Sequence, residues 1–198
     1  MTVLMNNDCR IIGPTLLIML DKMLNYGYGI IGPKLIYADE RIQHGGVFFQ
    51  PLSPEEQQRQ GIPGYFDHWH RFHPRYFPSA VAERPGCLVT GGFMGIHRGV
   101  FMSIGLLDER FGMAAEDIDF QLMAIAAGFT IGYIGYAEAW HLEGQTRGAT
   151  LEDKAQHPEW TEREKRGLQF LFDKWLGIDW GQFTQQGQIQ AMQAKMRK

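Results

Sequence analysis

The stretch that most constrains this chain runs from Gly112 to Gly128. Three carboxylates in four residues, Glu116, Asp117 and Asp119, lead there into an apolar segment closed by a glycine. Ile118, Leu122 and Ile125 recur at i, i+4 and i+7, with Met123 and Ala126 widening the stripe, which predicts a core-facing helix whose first turn holds the acids. The uncharged run from Leu122 to Ala137 contains three glycines and is shorter than the roughly 20 residues that span a bilayer. It divides into the end of this helix and a following strand. Two readings of the acids stand: ordinary first-turn helix chemistry, or a site in which the helix dipole keeps Asp117 ionised and suited to a base or electrostatic role rather than proton donation.

A chain of 198 residues suits one domain with a sizeable core. Its formal net charge of -3 lacks the basic excess of a dedicated nucleic-acid binder, so no nucleic-acid partner is expected. Cys9 and Cys87 form neither a disulfide framework nor a metal-ligand pair, which suits a reducing compartment. The opening residues lack the basic region and long apolar stretch of a secretion signal. The expectation is a cytoplasmic protein, or one peripheral at the inner membrane face, with no transmembrane segment. Twenty-four glycines and 13% aromatic residues suggest tight turns around a site with flat, stacking surfaces.

Along the chain, Thr2 to Met5 reads as a strand ending in Asn6-Asn7-Asp8, either a turn or polar groups facing the crevice where open α/β sheets bind ligands. Pro14 opens a helix with Leu16, Leu17, Leu20 and Leu24 at helical spacing. Tyr28 to Gly32 and Lys34 to Tyr37 are β-type runs separated by Gly32-Pro33, and Arg41 to Phe49 is an extended, hairpin-like excursion around His44-Gly45-Gly46. Residues 50–85, with six prolines, read as a long irregular loop over the acceptor side. His68, His70 and His73 there admit zinc, or aromatic and imidazole groups, Trp69 among them, lining a sugar surface. Gly86 to His97 is the most β-like run, and Gly91-Gly92 within it implies close backbone approach. Arg98 to Gly105 is a short helix, and Phe129 to Ile134 a strand. His141, beside Trp140 and before a glycine loop, is either structural or a ligand. Thr161 with Glu164 forms a capping box, and Leu168, Leu171, Phe172, Trp175 and Leu176 form one apolar face. Residues 177–198 read as a glutamine-rich, basic-ended mobile tail or partner helix.

The order of these pieces resembles the second half of a family 2 glycosyltransferase of the GT-A fold, from Leu4 to about Trp175. Asn6-Asn7-Asp8 is similar to its Asn/Asp-x-Asp motif, Gly32 to Tyr37 and Gln43 to Val47 to its Gly-Pro-Lys-Leu-x-Tyr and Gln-His-x-Gly-Val segments. Thr90-Gly91-Gly92 with Arg98, Leu107 to Gly112, Glu116 to Asp119, and His141 to Gly144 with Arg147-Gly148 complete the series. The resemblance implies an α/β fold with a mixed sheet flanked by helices, residues 1–176 forming one partial GT-A catalytic segment of polysaccharide biosynthesis. It implies an inverting, metal-assisted transfer from a nucleotide-diphospho-sugar to a saccharide or other hydroxyl. Asp117 would be the base and Glu116 would orient it. Asp8 and His141 would hold Mn²⁺ or Mg²⁺, and Asn6, Gly91, Gly92 and Arg147 would meet the donor. Trp69, Trp140 and Asp119 would meet the acceptor.

Two features depart from the family pattern. Asn6 stands where many relatives carry a first aspartate. The sequence also begins in the strand that carries the metal motif, so the nucleotide-binding half would come from a second chain or a second copy pairing along Thr2 to Met5. The alternative function is a non-catalytic remnant that binds glycans or a partner.

Overall fold

Tyr28–Ile36 forms strand β3, which is buried along its whole length, as a strand covered on both faces should be. Its side chains alternate between two apolar layers. Ile30 joins Ile96, Ile131 and Tyr133 on one face, and Ile31 and Leu35 join Met19, Met23 and Phe93 on the other. The computed structural model describes residues 1–112, 114–142 and 158–196.

Around β3 lie β1 (Thr2–Met5), β2 (Cys9–Ile12), β8 (Phe93–Ile96) and β9 (Thr130–His141) in the order β1-β8-β3-β9-β2. β4 (Ile42–His44) pairs with β3, and β7 (Glu83–Pro85) with β9. The sheet is mixed: β3 and β9 run parallel, whereas the β1–β8, β3–β8 and β2–β9 pairs are antiparallel. β5 (Val47–Pro51) and β6 (Gly64–His68) form a separate two-stranded ribbon. Helix α1 (Thr15–Tyr26) covers one face. The other face is covered by α3 (Arg98–Ile104) and α4 (Glu116–Ala126). α5 (Pro158–Lys174) packs on that side too, through Leu171 and Phe172. The architecture is therefore the expected α/β class, a mixed sheet flanked by helices.

Several elements differ from their sequence reading. The two runs flanking Gly32-Pro33 are one strand; its register against β9 shifts between Pro33 and Lys34, and such an irregularity accommodates a residue that cannot donate to the ladder. In α1 the buried line is Thr15, Met19 and Met23, whereas Leu17 and Leu24 are 69% and 67% exposed. The Thr15 hydroxyl fixes the helix rotation, lying 2.7 Å from the Ile12 and Glu138 carbonyls and accepting the Glu138 N–H at 2.8 Å. In α4 Ile118 and Leu122 are buried, but Ile125 is 38% exposed.

Residues 50–85 are not an irregular loop. They hold the end of β5, helix α2 (Pro54–Gln60) with a Ser53–Glu56 capping box, β6 and β7. Gly86 to His97 is a strand only from Phe93; the earlier part makes a single bridge, Val47 to Leu88. Thr161 lies inside α5 rather than at its cap, and Leu176 is 84% exposed, outside the apolar face. The segment read as a tail docks on its own chain: Trp180–Phe183 is a 3-10 turn, and α6 (Gln185–Met196) follows. The Gln188 amide donates to the Val47 and Phe183 carbonyls, both at 2.9 Å. Aromatic contacts hold that region, since Trp180 packs 5.6 Å from Phe49 and 5.1 Å from Phe172.

Candidate functional site

The site forms where β1 ends, β8 begins and β9 reaches its last residue, at the carboxyl end of the parallel strands. A Cβ on Gly32 would stand 2.6 Å from the Val89 Cβ, so only glycine lets residues 87–91 cross β3 this closely. Val89 is then locked to α4 by a two-way amide pair: its N–H donates to Gln121 Oε1 at 2.8 Å, and its carbonyl accepts from Gln121 Nε2 at 2.7 Å. That clamp sets the Thr90-Gly91-Gly92 turn against the start of α4. Gln121 carries no role in the sequence reading, although a lone glutamine four residues beyond Asp117 in an otherwise apolar run is a visible signal.

The three acids do three different things. Asp117 accepts the Gly91 N–H on Oδ2 at 2.6 Å and the Ile118 N–H on Oδ1 at 2.8 Å. A Cβ on Gly91 would lie 3.0 Å from the Asp117 Cβ, so this contact too depends on glycine. Burial, reinforced by the Glu116 charge, pushes the Asp117 carboxyl up to about 6, against the pull of its backbone N–H donors. Desolvation thus outweighs the helix dipole expected to favour the ionised form, although a carboxyl at about 6 is still mainly ionised at neutral pH. Among the described residues Glu116 keeps a buried Oε2 without a hydrogen-bond partner. Asp119 is fully buried, its oxygens taken by Lys174 Nζ at 2.8 Å and Trp175 Nε1 at 2.7 Å. It fastens α5 to α4 rather than facing an acceptor. None of the acids caps in the usual way, because the N-cap position is Ala115, left-handed at φ 70° and without a side-chain cap bond. Holding a non-glycine residue there costs on the order of 1–2 kcal/mol.

On the other side of the glycine turn, Asp8, Cys9 and His141 place a carboxylate oxygen, a sulfur and a ring nitrogen within 4.8 Å of one another. His141 is the last residue of β9 and pairs with Cys9 across the β2–β9 ladder. Its Nδ1 meets Gln43 Oε1 at 2.6 Å. A carbonyl oxygen only accepts, so Nδ1 carries a proton, and Nε2 lies 3.1 Å from Asp8 Oδ1 and 3.3 Å from the Asn6 amide nitrogen. This outer hydrogen bond is of the kind that orients ligand histidines. The donor set fits a divalent cation. Cys9 is the member that sequence reasoning passed over; its strand position opposite His141 emerges only from the β2–β9 pairing, and β2 itself was not foreseen. Burial, with the Asp8 charge, raises its thiol to about 11.

Two cavities flank the turn. One of about 410 Å³ is lined by Asn7, Asp8, Cys9, Arg10, Glu40 and Trp140. The Trp140 Nε1–H donates to Glu40 Oε1 at 3.1 Å, and the Arg10 guanidinium lies 5.7 Å from the Trp140 ring. The second, of about 220 Å³, is lined by Tyr65, Phe66, His68, Thr90, Ala115 and Asp117 among others. Trp69 faces neither. It is a core residue, 8% exposed, packed on Phe48 and under the Arg84 guanidinium, so the acceptor contact expected of it is not made. Nor do the three histidines converge: His68 meets His44 (Nδ1 to Nδ1, 2.6 Å), and His70 meets Ser79 at 3.1 Å. Among the described residues Asp8, Cys9 and His141 form the one group of three that could hold a metal. Glu143, Gly144 and the Arg147-Gly148 pair lie outside the described residues.

No family model matches the chain. It is similar to an uncharacterized protein, y4gI, of Sinorhizobium fredii, with 31% identity over 182 residues, 89% of this chain and 18% of that protein. It is also similar to the O-antigen biosynthesis protein RfbC of Myxococcus xanthus, with 26% identity over 162 residues, 77% of this chain and 12% of that protein. The chain thus spans less than a fifth of either relative. Among the described residues no helix is long and apolar enough to cross a membrane.

Proposed function

We propose that this chain is the catalytic segment of an inverting glycosyltransferase, moving a sugar from a nucleotide-diphospho-sugar to a saccharide or other hydroxyl in the cytoplasm or at the inner membrane face. The observation that carries this reading is the Asp117 carboxylate, pushed up to about 6 and set against Gly91 at the mouth of a cavity. A base with its pKa near the working pH accepts a proton most effectively. Asp117 takes the acceptor hydroxyl proton as that oxygen attacks the anomeric carbon from the face opposite the leaving diphosphate, which inverts the centre. Glu116, carrying like charge beside it, keeps Asp117 basic. Gly91 and Gly92 let the sugar approach backbone. Asp8 and His141 would hold Mn²⁺ or Mg²⁺, which supplies charge stabilisation at the leaving diphosphate. Asn6 lies against that pair, and Trp140 offers an aromatic wall for a sugar ring. The likeness to an O-antigen biosynthesis protein supports the same substrate class.

The part of each relative outside the match supports a second element of the reading. Among the described residues β1 sits at the sheet edge and pairs with β8 alone, so a nucleotide-binding layer from a second chain, a second copy or a neighbouring domain would add there. The test is metal-dependent turnover of sugar nucleotides, alone and with such a partner, in wild type and Asp117→Asn. Turnover lost in the variant is expected; turnover unchanged by it would remove Asp117 as the base. Glycan binding without turnover in every context would establish the non-catalytic alternative.

A further inference from the structure

We infer that the Cys9 sulfur is a metal ligand, giving a site of Asp8, Cys9 and His141 that takes a thiophilic divalent ion of the zinc and cobalt class in preference to magnesium. This goes beyond the proposed function, which uses only Asp8 and His141, and the test below separates the two.

His141 Nδ1 is committed to Gln43 Oε1, which leaves its Nε2 facing Asp8 Oδ1 from 3.1 Å. Among the described residues Asp8 Oδ1 is a buried atom with no hydrogen-bond partner. An unpaired carboxylate oxygen in such a place is costly unless a positive charge stands beside it. The Cys9 sulfur completes the triangle within 4.8 Å. It rests on the Gly92 carbonyl at 3.4 Å, a weak bond that is readily given up.

Zinc bonds of about 2.0–2.1 Å to nitrogen, 2.0–2.2 Å to oxygen and 2.3 Å to sulfur put tetrahedral ligand atoms roughly 3.3–3.6 Å apart. The Asp8–His141 separation of 3.1 Å is already near such an edge, and the Cys9 sulfur lies within 4.8 Å of both. One oxygen, one nitrogen and one sulfur are a borderline-soft set: thiolate and imidazole suit zinc, whereas magnesium prefers oxygen ligands and gains nothing from the sulfur. Binding is balanced as an exchange. The thiol proton leaves to solvent, the sulfur keeps the electron pair and donates it to the ion, and no oxidant or reductant takes part. Asp8 and Cys9 also line the 410 Å³ cavity, and a set of three protein ligands is the kind that would let a zinc-class ion take a further ligand.

Cobalt(II) titration of the intact chain tests this through its absorption spectrum. Wild type is expected to show a near-ultraviolet thiolate-to-cobalt charge-transfer band, which zinc bleaches on equimolar addition. Cys9→Ser should abolish the band and lower zinc affinity by more than the roughly 10–100-fold that outer-shell changes cost. Cys87→Ser, altering a buried thiol, should keep the band. Manganese binding, read by electron paramagnetic resonance, should survive in Cys9→Ser and be lost in Asp8→Asn. No charge-transfer band at saturating cobalt, or a band retained in Cys9→Ser, overturns the inference, while manganese binding that depends on Asp8 leaves the two-ligand reading intact. Absence of binding by any of these ions overturns both.

Discussion

Asp117→Asn should abolish turnover and yet stabilise the fold, by an amount that depends on pH. A carboxyl whose pKa is raised on folding favours the protonated state. Its penalty is absent below its ordinary value, grows as pH rises and is complete above the folded value. The rise from 3.8 to about 6 corresponds to about 3 kcal/mol at about pH 8, shrinking to about 1 kcal/mol near pH 4.5. Asp117 opens onto the cavity on one side, where water reduces the penalty, so a gain of about 1–3 kcal/mol is expected at about pH 8. The amide keeps an oxygen for the Gly91 N–H, but its NH2 then faces the Ile118 N–H and gives up that bond, a loss of about 1 kcal/mol at either pH that leaves the lower half of that range. For a chain of this size the gain corresponds to a rise in Tm of roughly 2–10 °C. Thermal unfolding of both proteins at the two pH values measures it. A variant that is less stable at pH 8, or whose advantage does not change with pH, would refute the claim that burial and the Glu116 charge strain the Asp117 carboxylate.

The same value predicts the pH profile: Asp117 works deprotonated, so turnover should rise with pH through about 6, and in Glu116→Gln the inflection should fall, because the neighbouring charge that helps raise it is gone. Asp119→Asn should cost about 2–4 kcal/mol in urea unfolding, since it weakens the buried anchor of Lys174 and Trp175. A change confined to acceptor KM, with stability intact, would instead return Asp119 to the site.

How much of this was legible in the sequence depends on the range of the forces involved. Periodicity and turn chemistry act over a few residues, and they located β1, α3 and the start of α4, together with the acidic first turn and the Gly91-Gly92 approach. They misjudged Leu17 and Leu24, because helical spacing says that a stripe exists but not how the helix is rotated; the Thr15 hydroxyl on β9 decides that. They read residues 50–85 as a loop because prolines and glutamines hide a ribbon whose partners lie across the sequence. Asp117 was identified as the acid to watch, but its proton affinity comes from burial, which only packing supplies. Trp69 and Asp119 carry the side chains of a binding site, and the fold spends them on a core and on an anchor for α5. Cys9 and Gln43 reach His141 only because β2 pairs with β9 and β4 with β3. The sequence by itself thus determined the kinds of groups present and their order. The tertiary structure decided which of them share a space and which proton each holds, because distance and desolvation are properties of the packed chain.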